Sequence, residues 1–212
     1  MSDSQAGRLS SPSSERNLEP IRDALQKILP ADGGHLLEIG SGSGYHAAHL
    51  AEAMPGWTWI PSDPDPLHRA SIRAWAQHLG RPGPDPLALD MEADWSAVVR
   101  SATLPPLDAI FCANVVHIAP WEVAVGLFTG AATMLRGDGL LMLYGPFKEG
   151  GRHTGDGNAR FDADLRAQNP AWGIRALEDL AKLAEAQGFA APSIHQMPAN
   201  NRILVFARAA VT

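Results

Sequence analysis

Apolar positions along the chain follow two alternating patterns. Short apolar runs occur at 35–39, 57–61, 87–90, 107–113 and 140–144, the length and make-up of buried strands. Between them, apolar residues recur at helical spacing: Leu50, Ala51 and Met54 over 45–54; Leu67, Ala70, Ile72 and Trp75 over 66–79; and Val125, Phe128 and Leu135 over 121–135. A further helix precedes the first strand, with Pro20 in its first turn, Ile21, Leu25, Ile28 and Leu29 on one stripe, and Pro30 and Gly33-Gly34 ending it. Asp65-Pro66 reads as the cap and first position of the 66–79 helix, and a short helix is expected over 92–100. Gly137-Asp138-Gly139 turns the chain into the Leu140–Tyr144 strand. A helix over 174–187, stopped by Gly188, is followed by two strands, 189–197 and 200–208, joined through Pro198-Ala199-Asn200-Asn201 as an antiparallel hairpin. Strands alternating with helices imply an α/β fold: a seven-stranded, mostly parallel sheet with helices on both faces, closed by the C-terminal antiparallel pair.

The segment 148–173 fits neither pattern. It concentrates Lys148, Arg152, His153, Asp156, Arg160, Asp162, Arg166 and Trp172, and a short helix is expected around 159–167. Long connections inside a compact domain are often functional covers, so it reads as a lid. Residues 1–10 are expected to be disordered and 11–212 to form a single domain.

Composition narrows the function classes. A net charge of −6 with no two adjacent Lys or Arg residues argues against a nucleic-acid partner, since phosphate neutralisation needs clustered cations. No apolar run approaches the roughly 20 residues needed to span a bilayer, and the first 17 residues are polar and Ser-rich, so neither a membrane nor a secretory signal is expected and the protein reads as cytoplasmic. The single cysteine, Cys112, allows neither an internal disulfide nor a Cys-based zinc site, and its apolar surroundings mark it as a core residue. No metal-ligand spacing stands out, and no metal is expected.

The chemistry concentrates at strand ends. Leu36 to Ile39 run directly into Gly40, Ser41, Gly42, Ser43 and Gly44, and a helix starts at Tyr45 and His46. A strand, a glycine turn and a helix N-terminus form the unit with which doubly wound sheets hold nucleotide-like ligands. The dinucleotide fingerprint is G-x-G-x-x-G, whereas this chain reads E-x-G-x-G-x-G with Tyr at position 45. That form resembles the first motif of class I S-adenosylmethionine (SAM) methyltransferases, in which the loop cradles the amino-acid end of SAM. Asp63, 19 residues past Gly44 and at the end of the second strand, is placed to bind both ribose hydroxyls. Asn114 and His117 follow the fourth strand and border the same crevice. Glu15-Arg16, ahead of the first helix, reads as a segment able to fold over the pocket.

Several blocks together resemble the uncharacterised SAM-dependent methyltransferase-like family called domain of unknown function 938. They are Ser11-Pro12 with Glu15-Arg16-Asn17; Leu37-Glu38-Ile39 with Ser41-Gly42, Gly44 and His46-Ala47; Pro61-Ser62-Asp63; and Leu89-Asp90. Asn114 with His117-Ile118 and Pro120-Trp121 follow, then Tyr144 to Phe147, His153-Thr154, Asn158, Phe161-Asp162, Leu165-Arg166, Trp172 to Arg175 and Met197 to Asn201. The likeness covers about 11–207. Gly155, Gly157 and Tyr45 depart from the pattern.

The resemblance implies a class I methyltransferase (Rossmann-like) fold that takes SAM and releases S-adenosylhomocysteine (SAH). Cofactor contacts are then expected from Glu38, Gly40, Ser41, Gly42, Gly44, Tyr45, His46, Asp63 and Asn114, with Asp90 and Met91 at the adenine. Asn114 and His117 would face the transferring methyl. His117 is the expected base if the small-molecule acceptor needs one, with Glu15 or His153 as alternatives. No Asn-Pro-Pro-Tyr motif follows the fourth strand, which keeps open a SAM- or nucleoside-binding protein without turnover. An NAD(P)-dependent oxidoreductase is disfavoured by Tyr45 and by the closing hairpin.

Overall fold

A computed structural model describes residues 7–209. In chain order its elements are α1 (Pro12–Ile28), β1 (Gly34–Ile39), α2 (Tyr45–Ala53), β2 (Trp57–Ser62), α3 (Pro66–His78), α4 (Trp95–Ser101), β3 (Leu107–Ala113), α5 (Trp121–Met134), β4 (Leu135–Pro146), β5 (Lys148–Glu149), β6 (Arg152–His153), α6 (Asp156–Gln168), α7 (Leu177–Ala186), β7 (Ser193–Gln196) and β8 (Asn201–Ala207).

The main sheet runs β2-β1-β3-β4-β8-β7. The first four strands in that order are parallel, β8 is antiparallel to β4, and β7 is antiparallel to β8. Helices cover both faces. On one side Ile21 and Leu25 of α1 and Leu50 of α2 pack on Leu36, Trp59, Phe111 and Tyr144. On the other, Trp95 of α4, Leu127 and Phe128 of α5 and Leu180 of α7 pack on Leu37, Ile110, Leu141 and Phe206. Each such side chain, withdrawn from water, contributes roughly 1.5–3 kcal/mol. Cys112 lies in this core as expected, and burial pushes its thiol up to about 12, which keeps it protonated.

The elements depart from expectation where a local signal was outvoted. α1 begins at Pro12, eight residues ahead of Pro20, because Ser11 caps it by accepting the Ser14 N–H at 3.3 Å and Pro12 fills its first turn. Pro20 therefore sits inside the helix, and Glu15 and Arg16 lie on its first turns, exposed. The expected 87–90 strand shrinks to one parallel bridge, Leu87 to Ser62. Leu87 meets Ser62, the last residue of β2, so residues 88–90 run past the end of that strand, and Pro84 and Pro86 bring no N–H that would carry the ladder backwards. Residues 7–10 are ordered against α3: the Leu9 N–H donates to Ser71 Oγ at 2.8 Å and the Trp75 indole N–H to the Leu9 carbonyl at 3.0 Å. The expectation of disorder thus fails over 7–10, and its remainder, residues 1–6, lies outside the described residues. The 148–173 segment contains a two-strand hairpin, β5–β6, and a helix, α6, longer than the one expected over 159–167. The expected 189–197 strand is ordered as β7 only over 193–196, with Phe189 making a single bridge to Arg208. No helix among the described residues is long and apolar enough to cross a membrane.

Candidate active site

The C-terminal ends of β1, β2 and β3 lie side by side in the parallel sheet, and the glycine loop follows directly from β1. Gly40, Gly42 and Gly44 all have positive φ (65°, 55° and 84°), the left-handed region that side chains disfavour. Their surroundings differ. A Cβ at Gly44 would sit 2.5 Å from the Ile72 backbone, and one at Gly40 2.5 Å from the Val115 side chain, so these two glycines let protein pack against protein. A Cβ at Gly42 would meet nothing within 4 Å. Gly42 alone turns its bare Cα to open space, as a backbone cradle for a ligand does.

Behind the loop lies Glu38, buried, its Oε2 accepting from Ser41 Oγ at 2.9 Å and from the Trp59 indole N–H at 3.0 Å. Burial pushes its carboxyl up to about 7 against the pull of those two bonds, and the nearby Asp63 carboxylate adds to the rise. Trp59 was legible only as a strand residue; its bond to Glu38 spans 21 positions and has no local signature. Asp63, at the end of β2, accepts from the Gly42 N–H at 2.9 Å with one oxygen and from the Asp65 N–H and His68 Nδ1 with the other, at 2.9 and 3.0 Å. It therefore ties the tip of the loop to the neighbouring strand end.

The other expected residues are placed unequally. Tyr45 packs against His49 and edge-on to Trp75. His46 is buried and its Nε2–H donates to the Ser14 carbonyl at 2.9 Å, so it docks α1 onto α2. Asp90 is exposed and closes a turn by accepting the Glu92 N–H, while Met91 is buried among the α4 and α5 core residues. Glu15 is exposed near Tyr45, and its charge adds to the burial that holds the Tyr45 hydroxyl above its usual range.

Asn114 adopts the left-handed conformation (φ 63°), a strained state for a side-chain-bearing residue that the Tyr144 carbonyl helps hold by accepting the Asn114 N–H at 2.8 Å. The turn that follows puts His117 in the core, fully buried, and this corrects its expected role as base. Its backbone carbonyl accepts the Gly173 N–H at 2.8 Å, its Nδ1 faces the Arg175 N–H at 3.4 Å, and its Nε2 points at Gly145 with no partner. Burial, reinforced by the Arg175 charge, pushes the imidazole down to about 3, so it is neutral and sequestered. Arg175 fixes the same turn, donating to the Val116 carbonyl at 2.8 Å and to the Ala119 and Ala171 carbonyls.

Beside this turn packs the 148–173 segment, centred on Asp162 of α6. Its carboxylate meets Lys148 Nζ at 2.9 Å, His153 Nε2 at 3.3 Å and Arg166 Nε at 3.3 Å, and it accepts the Ile174 N–H at 2.6 Å. Burial alone would raise this carboxyl; Lys148, the Ile174 N–H and Arg166 outweigh it and hold it below its usual range. With His153 Nε2 turned to Asp162, its buried Nδ1 has no partner. Arg202 of β8 pairs with Glu149 at 2.9 Å, holding the segment against β8, while Asn201 Nδ2 of β8 donates to the Tyr144 hydroxyl of β4 at 2.9 Å. No group of three or more His, Cys, Asp or Glu among the described residues is placed to hold a metal.

The family described as "Protein of unknown function (DUF938)" matches residues 8–208. The chain belongs to the DUF938 family. This DUF938 protein is also similar to solved methyltransferase structures. Human N-acetylserotonin methyltransferase, in complex with SAM, matches at 15% identity and TM-score 0.74 over 93% of this chain and 53% of that one. An O-methyltransferase family 2 protein from Planctomyces limnophilus, in complex with apigenin, matches at 21% identity and TM-score 0.77 over 99% and 62%. CalO1, a methyltransferase of calicheamicin biosynthesis in its SAH-bound form, matches at 16% identity and TM-score 0.75 over 93% and 54%. These likenesses show that the DUF938 chain has the Rossmann-like methyltransferase fold. It spans little more than half the length of the structures it matches.

Proposed function

We propose that this protein is a SAM-dependent methyltransferase acting on a small-molecule acceptor. The observation that carries the reading is the bare, open Gly42 between two carboxylates, Glu38 and Asp63, at adjacent strand ends. That combination suits a ligand with a cationic end and a ribose, and SAM has both. Two of the matched structures were crystallised with SAM or SAH, which supports the same cofactor.

Glu38 and the Gly40–Gly44 loop bind the amino-acid end, Asp63 the ribose hydroxyls, and Asp90 and Met91 the adenine. When bound, SAM supplies a methyl group already activated at a sulfonium. The protein then has mainly to align the acceptor and exclude water, and Asn114 and the 148–173 segment are placed for those tasks. Where the acceptor needs deprotonation, we assign the base to His153. Asp162 orients its Nε2–H, which leaves the Nδ1 lone pair free, the arrangement a general base requires.

Thermal unfolding with SAM, SAH and NAD in parallel tests the cofactor. At 100 times its dissociation constant a ligand adds roughly 2.7 kcal/mol, or about 5–10 °C for a chain of this size. Shifts with SAM and SAH and none with NAD are expected; a shift with NAD alone overturns the reading. Shifts with SAM and SAH, but no label transferred from methyl-labelled SAM to any of a broad panel of small-molecule acceptors, would favour a binding protein without turnover.

A further inference from the structure

A cavity of about 360 Å³ lies between α2, α3, β2 and the Arg81–Pro86 loop, and none of Glu38, Gly40–Gly44, Asp63 or Asp90 lines it. Its volume falls within the usual range for small-molecule sites. Pairing beside β2 is limited to the Leu87 bridge at its far end. The loop carrying Pro82, Pro84 and Pro86 arches over the β2 edge without pairing to it. The space beneath stays unfilled because α2 presents only alanines to it, Ala47, Ala48 and Ala51, and α3 adds Ala76 beside Ile72 and the outward-reaching Arg73 and Gln77.

The lining defines the ligand. Trp59 and Pro61 of β2 give it a flat apolar wall. At the rim Arg73 and Asp85 satisfy each other through a two-pronged ion pair at 2.6 and 2.9 Å, and Arg81 is exposed beside them. Gln77 offers the neutral polar group. Such a chamber favours a planar, uncharged ring over an ion, whose desolvation nothing inside would repay. The Trp59 indole that forms the wall also donates to Glu38, and Glu38 holds Ser41 of the glycine loop. We propose that this cavity is a second ligand site, taking an uncharged planar ring compound, and that its occupancy is transmitted through Trp59 and Glu38 to the glycine loop. The second half rests on the cofactor reading above; the first does not.

The test uses the full chain labelled with ¹⁵N and indole as the probe. The indole N–H resonance of Trp59 is assigned by its loss in Trp59→Phe. A saturable shift of that resonance is expected on adding indole, and it disappears in both Ala48→Leu and Ala51→Leu, which fill the cavity. The five other tryptophan resonances report whether each variant is folded. No saturable shift in the natural chain, or a shift that survives in both folded variants, overturns the site. SAM affinity is then measured by calorimetry with and without saturating indole. A change of at least threefold, absent in Trp59→Phe, supports the coupling, and an unchanged affinity overturns it. Should SAM fail to bind in either case, the cofactor reading and the coupling fall together, while the Trp59 resonance still decides the cavity.

Discussion

The two ends of the candidate site are built differently. At the β1–β2 end the partners are near neighbours in sequence: Ser41 reaches Glu38 three positions away, and Gly42 reaches Asp63 across 21. At the β3–β4 end Arg175 reaches Val116 across 59 positions, Asn201 reaches Tyr144 across 57, and Arg202 reaches Glu149 across 53. The first end is fixed by a strand, a turn and a helix cap. The second forms only once Arg175 and the β8 residues Asn201 and Arg202 have come back to β3, β4 and β5. The cofactor end should therefore stay formed when the 148–173 segment is loosened.

The sharpest way to break that contrast is Asp162→Asn. It removes the only carboxylate that Lys148, His153 and Arg166 share in this cluster. Stripping one partner from a fully buried ion cluster costs about 3–5 kcal/mol; here Lys148 is a fifth exposed and Arg166 about half, so about 2 kcal/mol is expected. Urea unfolding gives the total, and hydrogen exchange locates it. Protection should fall across 148–175 and persist at Gly40–Gly44. Because the Asp162 carboxyl titrates below its usual range in the folded chain, its contribution is present above the ordinary Asp value and is lost as pH falls through the folded one. The Asn variant should lack that acid-side loss.

Gly42→Ala probes the other end. Nothing in the protein obstructs the new methyl, so the folding cost is limited to placing a side chain at φ 55°, about 1–2 kcal/mol. If the open space is where the ligand lies, SAM affinity should fall at least tenfold, which calorimetry reads directly. A variant that folds and binds SAM normally would mean that the cradle is merely a turn.

The same contrast explains what the sequence revealed. The glycine loop, Glu38 and Asp63 were legible because they sit at fixed short offsets, and the helices from α2 to α5 because their stripes and caps are local. Trp59, Asp162 and Arg175 gained their roles from contacts that no spacing announces. His117 misled because a histidine at a strand end looks like a base from sequence, while the residues that bond it in the core, Gly173 and Arg175, come more than 50 positions later. The 87–90 strand failed because its partner β2 ends at Ser62, opposite Leu87, and no spacing in the sequence announces where two strands stop overlapping.

Glu38 sharpens the comparison through pH. Its folded value of about 7 stands above the ordinary carboxyl value of 4.5, so its favourable share of stability is fully present below 4.5 and is lost as pH rises through 7. The ligand-free protein should lose melting temperature from about pH 4.5 to 7 and level off above it, and Glu38→Gln should flatten that slope. SAM binding runs the opposite way, because a cationic ligand needs the ionised carboxylate. Its affinity should rise about tenfold from pH 6 to 8, with proton release visible as a buffer-dependent heat.

The smallest effect is expected from Tyr144→Phe. Burial holds the Tyr144 hydroxyl above its usual range, and its one bond comes from Asn201 Nδ2 at 2.9 Å. Removing the oxygen leaves the ring packed against the α1–α2 face and frees an amide that is only half-buried and can turn to water. A loss of about 1 kcal/mol in urea unfolding is expected, with SAM affinity unchanged. The modest size is informative. The bond joins β8 to β4, which already pair along 140–146, so one side-chain bond more is dispensable. A loss above about 3 kcal/mol would instead mean that β4, β8 and the segment lock as one unit. Asp162→Asn would then unfold far more than the 148–175 segment, and the cofactor end could not remain formed without it.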